Sequence, residues 1–461
     1  MLGFLIGIVV TGIAARLIIK NYQPQTVLLV AGLSLLTLTV VLFPDQSILY
    51  QKAKSTGWTG FDIFAFVKES LTTQIAGIGL IIMSSAAFAD YMDHIGATGS
   101  MVRLCIKPLR LIKAPYAILA LGYVLGQCLH VAIPSAAGLA MLLLVTFFPM
   151  LISLGVSRPA AAAMIGLSSF MDLGPAVGTA NLAAKTSGMP AAIYFVHHQI
   201  PVAMWVVGVV AILIFFTARY FDRQTGHVAA HVYAEQPATV ASTDVASEAP
   251  QFYALIPLLP IVLILVFSPL LYGHVAMDVV TAMILGSLVG MTCELAVKRD
   301  VKAVFKSFQV FFNSVGATFA SVVSLLVCAD VFAQGLQAVG AVGFMIDSVR
   351  DAGFGVNVMA AIMTLMVGVT AMITGSGVAA FFAFSGLAPT IATKFGVSAV
   401  TMVLPMQLMA GMGRAISPVA GVIIAVSKAG QCSPFEIVKR TMIPSLGGIA
   451  TMLLLNYLLN G

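Results

Sequence analysis

Apolar stretches long enough to cross a lipid bilayer make up most of this chain. About twenty apolar residues span the hydrocarbon layer, and stretches of that length recur throughout the sequence. Of the 461 residues, 60% are hydrophobic and 9% are charged, whereas a soluble globular chain carries about 25% charged residues. Lipid offers no hydrogen-bond partners, so the backbone of these stretches must close its hydrogen bonds within helices. The sequence therefore predicts an all-α polytopic membrane protein.

The continuity of the apolar stretches predicts the topology. About ten transmembrane helices are expected at residues 2–19, 25–43, 71–89, 160–186, 191–219, 253–271, 278–297, 309–336, 398–425 and 441–459. Two further stretches, 114–154 and 354–393, contain Pro, Gly and Ser at their midpoints. These helix-breaking residues favour re-entrant hairpins, although a pair of spanning helices in each place would preserve the same topology.

Basic residues assign the two sides of the membrane. Sixteen Lys and Arg residues fall on one side, six fall on the other, and Arg414 is left inside. Cytoplasmic loops carry the excess of basic residues in membrane proteins. We therefore expect the basic side to be cytoplasmic and both termini to lie outside. The net charge of +6 thus needs no nucleic-acid partner to explain it.

A polar segment divides the chain into an N-terminal half, 1–221, and a C-terminal half, 252–461. Residues 222–251 are rich in Ala, Glu, Ser, Asp, His and Pro and lack hydrophobic periodicity. Such a composition is typical of disorder and predicts a cytoplasmic linker. The five cysteines are scattered, and neither their spacing nor that of the histidines is typical of a zinc site. No metal and no cofactor are expected.

The two halves repeat each other with an offset of about 240 residues. Asp90 corresponds to Asp330, Lys185 corresponds to Lys428, and helix-breaking residues recur in the same order. By the charge distribution, the first hairpin enters from the cytoplasm and the second from outside, which predicts two inverted repeats. In transporters built this way, the interrupted segments meet at the midplane and form the site. The segments concerned are the hairpins 114–154 and 354–393 and the broken helices 160–186 and 398–425.

Residues Gly411 to Gly421, GMGRAISPVAG, interrupt one apolar stretch and include Arg414. An arginine at bilayer depth costs roughly 2.5–3.5 kcal/mol, so it is expected to face a cavity and a partner. Gly411 and Gly413 predict an opening of the backbone, and Ser417–Pro418 predicts a helix that restarts with a serine cap. A cation and a positive helix end at one point predict an anion site. The alternative is a kinked helix whose Arg414 snorkels or pairs with an acid.

The other breaks also carry polar residues. Hydroxyls at the hairpin tips either cap the next helix or bind a ligand oxygen, and helix N-termini suit carboxylate or phosphate. Asp172 pairs with Arg414, binds a proton or a cation, or faces a polar crevice; His130 is either a hydrogen-bonded buried histidine or a proton-coupling residue. The predicted substrate-binding residues are Ser135, Thr374, Gly375, Ser376, Gly377, Arg414 and Ser417, and the predicted ion-coupling residues are Asp172, Thr179 and Asn181.

The motifs ITGSG at 373–377 and GRAISPVAG at 413–421 resemble the DcuC family of bacterial anaerobic C4-dicarboxylate transporters. The likeness extends to GVSR at 155–158, AAGLAMLL at 136–143 and SPFEIVKRT at 433–441, and it covers essentially the whole chain. The resemblance implies a multi-pass carrier of the bacterial inner membrane that moves succinate, fumarate or malate. It also implies inverted repeats with two re-entrant hairpins, often in a homodimer.

The chain departs from the family pattern around the predicted site. Val378 stands where the family has Asn after GSG, and Gly411-Met412 stands where it has Ser-Asn before Gly-Arg. In the first repeat, Pro134 replaces Ser and Ala137 replaces Thr. The anion site is retained while its surroundings differ, which leaves another carboxylate as an alternative substrate.

The leading hypothesis is a secondary active transporter of small organic anions that works by alternating access. It would be coupled to protons or sodium, or it would work by exchange. An anion channel is the less favoured alternative, because a channel needs a continuous polar pathway and apolar residues flank each break. An enzyme is not expected, because the sequence has no GxSxG or HExxH motif and no paired acids on neighbouring turns.

The charge distribution makes a prediction about the linker. A cysteine introduced as Val240→Cys, in a background without other cysteines, should resist an impermeant thiol reagent in intact cells and react after permeabilisation, because the segment is cytoplasmic. The measurement is labelling by mass shift, with a cysteine in the 44–58 loop as the externally accessible control. Labelling of position 240 in intact cells would overturn the topology.

Overall fold

The computed structural model of the protein describes residues 2–20, 22–43, 55–112, 114–226, 249–275, 277–351 and 355–460. Within these ranges the chain is helical and contains no β-strand. Most of the predicted linker, 227–248, lies outside the described residues. The helices are α1 Leu2–Ile19, α2 Pro24–Leu42, α3 Thr59–Gln74, α4 Leu80–His94, α5 Ala97–Ile106, α6 Pro115–Ala132, α7 Ala136–Thr146, α8 Phe148–Ser153, α9 Arg158–Gly166, α10 Gly178–Thr186, α11 Ala191–Ile193, α12 Ile200–Gln224, α13 Leu259–Val266, α14 Val279–Lys298, α15 Val301–Thr318, α16 Ser324–Ala338, α17 Ala341–Asp351, α18 Val356–Thr374, α19 Gly377–Ser385, α20 Ala388–Phe395, α21 Val400–Ala415, α22 Gly421–Gly430 and α23 Pro434–Asn460.

Eight helical stretches of the described chain are long and apolar enough to cross a membrane, or nine if the bent pair α19–α20 is one span. They are Pro24–Leu42, Thr59–His94, Pro115–Ala132, Ala191–Gln224, Val279–Lys298, Val301–Ala338, Val356–Thr374 and Pro434–Leu459. The all-α polytopic fold class is confirmed, with fewer long spans than the ten expected. Two of the eight, Pro115–Ala132 and Val356–Thr374, belong to the predicted hairpins, whereas the predicted spans 2–19 and 253–271 form shorter apolar helices, Leu2–Ile18 and Gln251–Val266. The broken stretches divide into shorter helices as well.

The order of elements in the first half recurs in the second. The helices α3 and α4 are joined through a π-helical segment, Ile75–Gly79, and α15 and α16 through another, Phe319–Val323. The two π segments pack on each other. In each half, these two helices are followed by a short helix, a helical hairpin and a broken helix. This order is what a repeat requires, while the inversion of one half relative to the other across the membrane stays a prediction.

Two hydrogen bonds connect the halves in matching positions. Ser70 Oγ donates to Asp330 Oδ2 at 2.6 Å, and Ser314 Oγ donates to Asp90 Oδ2 at 2.6 Å. The two aspartates are the pair that the sequence comparison aligned. Each half thus supplies one aspartate and one serine to the contact between α3–α4 and α15–α16, which supports the correspondence.

Each hairpin has one long helix and a shorter, kinked return. The helix α6 turns into α7 and α8 at residues 133–135, and α18 turns into α19 and α20 at residues 375–376. The bend between α19 and α20 is 48°. Gly375 has φ of 72°, a left-handed conformation that glycine adopts without strain. Since α6 and α18 are both long enough to span, re-entrance of the hairpins stays a prediction.

The broken helices cross-pack at the centre. Helix α9 packs against α22 and α10 packs against α21, so each half of one broken helix meets a half of the other. The return helices of the hairpins also pack against the broken helix of the other half, because α7 packs against α22 and α19 packs against α10. This arrangement brings both breaks and both hairpin tips to one region.

Glycines in α21 allow close packing rather than an open backbone. The expectation that Gly411 and Gly413 precede an opening was wrong, because α21 continues to Ala415. A Cβ added at Gly411 would lie 2.6 Å from the carbonyl oxygen of Phe170, and one added at Gly413 would lie 2.7 Å from that of Gly368. The missing side chains therefore let α21 approach the first break and α18.

Substitution of Gly411 tests this close approach. Gly411→Ala should lower the stability of the protein in detergent by about 1–3 kcal/mol, because the backbone must shift to accept the methyl group. The matched control is Gly316→Ala in α15, where nothing lies within 4 Å of an added Cβ. That helical substitution should be neutral or stabilise by about 0.5–1 kcal/mol. Equal thermal shifts for the two variants would contradict the packing role.

Candidate functional site

Arg414 lies in the last turn of α21 and forms an ion pair with Asp172. Its Nη2 donates to Asp172 Oδ1 at 3.2 Å and to the carbonyl oxygen of Ser169 at 2.8 Å. The side chains of Arg414 and Asp172 are 14% and 5% exposed. Of the alternatives for Asp172, pairing with Arg414 is thus the contact that the structure contains. Among the described residues, Nη1 and Nε of Arg414 have no hydrogen-bond partner and can donate to a further acceptor.

The helix after the second break starts later than the sequence predicted. Ser417 and Pro418 lie in the turn between α21 and α22, and α22 begins at Gly421 with Ala420 as its cap residue. The predicted serine cap was therefore wrong. The Ser417 side chain is fully buried, and its Oγ has no hydrogen-bond partner in the described part of the chain. The cap residue of α22 is consequently six residues from Arg414 rather than three.

The Asp172 carboxylate contacts two elements besides α21. Thr179 Oγ1, in the first turn of α10, donates to Asp172 Oδ2 at 3.3 Å. His130, at the end of α6, places Nε2 3.4 Å from Asp172 Oδ1 and Nδ1 3.0 Å from the carbonyl oxygen of Ile133. The carboxylate thus ties the first hairpin and both broken helices together.

Asn181 supports the loop of the first break. Its Nδ2 donates to the carbonyl oxygens of Pro175 and Val177 at 2.7 and 2.9 Å. Both amide hydrogens are therefore used by the backbone of residues 167–177. Asn181 lies near Asp172 in sequence and in the fold, but its contacts hold the loop.

Three buried glutamines, which the sequence analysis missed, hold the same loop. Gln127 Nε2 donates to the carbonyl oxygens of Leu167 and Ser168 at 2.8 and 2.9 Å, and its Oε1 accepts from Met171 N at 3.4 Å. A glutamine suits this task because its amide carries both donors and an acceptor. A polar amide within an otherwise apolar span was the available signal.

The other two glutamines meet at the carbonyl oxygen of Asp172. Gln407 Nε2 and Gln199 Nε2 donate to that oxygen at 2.7 and 3.2 Å, and Gln199 Oε1 accepts from Gly174 N at 3.1 Å. Gln199 Nε2 also donates to Gln407 Oε1 at 2.8 Å. Gln407 belongs to α21 and Gln199 to the π segment Tyr194–Gln199, so the loop is anchored from both halves.

The hairpin-tip serines cap the return helices. Ser135 Oγ accepts from Gly138 N at 3.1 Å, and Ser376 Oγ accepts from Ala379 N at 3.2 Å. Thr374 Oγ1 donates to the carbonyl oxygen of Thr370 at 2.8 Å. Each serine keeps a hydroxyl hydrogen that capping does not use. Ligand contact by these residues stays a prediction.

The second tip lies beside the second break. A Cβ added at Gly375 would lie 2.9 Å from Ala420 N, and Gly377 packs directly against the carbonyl oxygen of Ala410. Gly375 and Gly377 therefore permit the hairpin to approach α21 and the following turn. The structure brings the second tip to the Arg414 stretch, and His130 links the first tip to Asp172.

Comparisons with known proteins agree over almost the whole length. The family described as DcuC, C4-dicarboxylate anaerobic carrier, matches residues 2–459. The chain is 35% identical over 455 residues to the probable anaerobic C4-dicarboxylate transporter DcuC of Vibrio cholerae, covering 98% of this chain and 97% of the relative. It is 33% identical over 449 residues to the anaerobic C4-dicarboxylate transporter DcuC of Escherichia coli K12, covering 97% and 95%.

Two solved structures share the fold. The YdaH transporter of Alcanivorax borkumensis matches with a TM-score of 0.63 at 15% identity, over 94% of this chain and 98% of that one. MtrF of Neisseria gonorrhoeae, from a class of antimetabolite efflux pumps, matches with a TM-score of 0.59 at 13% identity, over 94% of each chain. At these identities the likeness concerns the fold.

Replacement of Gln127 tests the support of the loop. Gln127→Met keeps the size of the side chain but leaves the Ser168 carbonyl oxygen and Met171 N unpaired, whereas the Leu167 carbonyl oxygen still accepts from Phe170 N. Each buried group left unpaired costs about 1–3 kcal/mol. We expect a clear fall in the melting temperature in detergent. Gln309→Met is the control, because Gln309 is exposed in α15 and donates only to the Asn313 side chain. Equal melting temperatures would show that Gln127 does not hold the loop.

Proposed function

The chain belongs to the DcuC family of anaerobic C4-dicarboxylate carriers and is a multi-pass transporter of the bacterial inner membrane, and we propose that it moves succinate, fumarate or malate by secondary active transport. The family match supports the substrate class. The fold shared with two transporters supports a carrier rather than a channel. An enzymatic activity forms no part of this function.

One observation carries the proposal. The guanidinium group of Arg414 lies between the two breaks, and two of its nitrogen atoms have no hydrogen-bond partner among the described residues. Asp172 and Ser169 take hydrogen bonds from Nη2, and Nη1 and Nε point to no other described acceptor. A hydrogen bond from a guanidinium to a carboxylate is charge-assisted and therefore strong. Arg414 would hold one carboxylate of the substrate through Nη1 or Nε without giving up the ion pair.

The hairpin tips would bind the second carboxylate. Ser135 and Ser376 each use one oxygen lone pair for capping, so their hydroxyl hydrogens are free to donate to an anion. Thr374, Gly375 and Gly377 would shape the second tip around the substrate. A small shift of the turn at Ser417 would also bring its buried hydroxyl to the ligand, which would give that group a partner.

Coupling and alternating access belong to the same proposal. Asp172, Thr179 and Asn181 lie at the first break, opposite Arg414, and would bind the coupling ion, a proton or sodium, or exchange would proceed without one. Two halves with the same order of elements offer two related packings, as alternating access requires. A homodimer, implied by the family resemblance, stays a prediction.

Another carboxylate is the alternative substrate. Val378 follows Gly377 in α19, Gly411-Met412 precede Arg414 in α21, and all three are less polar than the residues of the family pattern. Uptake and exchange in proteoliposomes distinguish the substrates: radiolabelled succinate should exchange for unlabelled succinate, fumarate or malate on the other side. Exchange limited to a monocarboxylate or a tricarboxylate would overturn the proposed substrate class. Passive flux without exchange acceleration would favour a channel.

Substitution of Arg414 tests its proposed role. Arg414→Ala should abolish succinate exchange and, because it leaves a buried carboxylate unpaired, should destabilise the protein by about 3–5 kcal/mol. Arg414→Lys should fold better but exchange poorly, since lysine offers a point charge instead of a fork. Exchange assays and melting temperatures in detergent measure both effects.

A double variant separates substrate binding from ion pairing. Arg414→Ala with Asp172→Asn should recover stability because no buried charge is orphaned, yet it should remain inactive. The matched single variant, Asp172→Asn, keeps Arg414 and should retain measurable exchange. Active exchange in the double variant would show that Arg414 serves only to pair with Asp172.

A further inference from the structure

Both ring nitrogens of His130 face groups that accept hydrogen bonds. Nδ1 lies 3.0 Å from the carbonyl oxygen of Ile133, and Nε2 lies 3.4 Å from Asp172 Oδ1. The histidine is 1% exposed, so bulk water does not compete with either partner. Whether each contact is a hydrogen bond depends on which ring nitrogens carry a hydrogen.

A neutral imidazole carries a hydrogen on one ring nitrogen and a lone pair on the other. In either neutral tautomer, one of the two contacts would therefore set a lone pair against an oxygen atom. Both contacts are hydrogen bonds at once only if the pair holds one proton more than a neutral histidine and an ionised aspartate do, either on the ring or on the carboxyl group.

We infer that the His130–Asp172 pair is the proton-binding site of the carrier, and that the proton it holds moves together with the dicarboxylate. This inference rests on the proposed transport function and names the coupling ion. With Arg414 and Asp172 compensating each other, the bound proton gives the three side chains a net charge of +1. The protonated site attracts a substrate anion, and the deprotonated site has no net charge.

The same proton controls a contact between two moving parts of the proposed mechanism. His130 lies in the last turn of α6, and the carbonyl group of Ile133 immediately precedes the tip at Pro134–Ser135. Asp172 lies in the loop of the first break, bonded to Arg414. Loss of the proton leaves the ring with only one of its two hydrogen bonds, and so weakens the link that runs from Ile133 through His130 to Asp172. Substrate affinity and hairpin position are thereby linked to one protonation event.

Charged and titratable side chains also lie on the elements that pack against α6. Helices α7 and α8, which pack on α6, carry none. Elsewhere against α6, the charged residues of α9, α12 and the 107–111 turn are Arg158, Arg219, Asp222, Arg223, Lys107 and Arg110. Tyr116, at the beginning of α6, interacts with Asp222, so the charged end of α12 faces the opposite end of α6 from His130.

Four further charged or titratable groups lie on the elements that pack around the first break. Arg414 bonds to Asp172, and Tyr194 reaches the neighbouring Gln407 through its hydroxyl at 3.4 Å. On α10, Lys185 is six residues beyond Thr179. Asp93 of α4 lies against Gly138 in the first turn of α7. It is the other acid near the first hairpin that could bind the proton, so the experiment must distinguish it from the His130–Asp172 pair.

Proton movement in proteoliposomes tests the inference. Fumarate is the probe, because both of its carboxyl groups are ionised near neutral pH and it brings no proton of its own. With the membrane potential clamped and sodium absent, downhill fumarate entry into wild-type vesicles should acidify the lumen, as reported by a trapped pH dye. Alkaline external pH should weaken the apparent affinity for fumarate. His130→Gln should lose the acidification while fumarate exchange persists, and Asp172→Asn should lose the acidification as well.

The controls are His274→Gln, at an exposed position, and Asp93→Asn; both should acidify the lumen as the wild type does. Acidification that persists in His130→Gln or disappears in Asp93→Asn would overturn the inference. If both site variants fail to fold, calorimetry of fumarate binding to the wild type in buffers of different ionisation enthalpy decides: uptake of about one proton per fumarate supports the inference, and none overturns it. Absence of fumarate exchange in the wild type would instead contradict the proposed function.

Discussion

The buried ion pair between Arg414 and Asp172 holds the two halves of the protein together where both central helices break. Arg414 ends a helix of the second half, and Asp172 lies in the open loop of the first. A buried ion pair is stable only when further hydrogen bonds satisfy both partners. Thr179 and His130 do so for the carboxylate, and the carbonyl group of Ser169 does so for the guanidinium. The pair therefore fixes a polar centre whose net charge is small, so that a single proton or anion changes it.

The two breaks solve the problem of irregular backbone at membrane depth in different ways. Residues 167–177 are long enough that side-chain amides must satisfy their backbone groups, and Gln127, Gln199, Gln407 and Asn181 do this. The shorter break at 416–420 closes with turns of its own, since Ser417 N donates to the carbonyl group of Arg414 and Ala420 N to that of Ser417. Irregular backbone survives in a membrane only where protein buries it. The similar halves thus carry different chemistry, an acid at one break and a cation at the other.

Two local expectations failed because the same residue types are compatible with two different local structures. Ser-Pro begins helices, but at Ser417–Pro418 it forms a turn before a helix that starts at Gly421. Glycine frees the backbone or allows close approach. Gly375 does the first with its positive φ, whereas Gly411 lies in a continuous helix against the carbonyl oxygen of Phe170. Neighbours distant in sequence decide between these uses.

The sequence by itself determined the helical membrane fold, the repeated order of elements, the regions where the helices break and the placement of Arg414 inside. These follow from local properties, namely apolar length, helix-breaking residues and the free-energy cost of a charge in lipid. Only the tertiary structure decided which acid Arg414 meets, that three glutamines hold the central loop, and that His130 bridges a hairpin end to Asp172. Arg414 and Asp172 are 242 residues apart, and such a contact exists only because the halves pack together, so no local pattern encodes it.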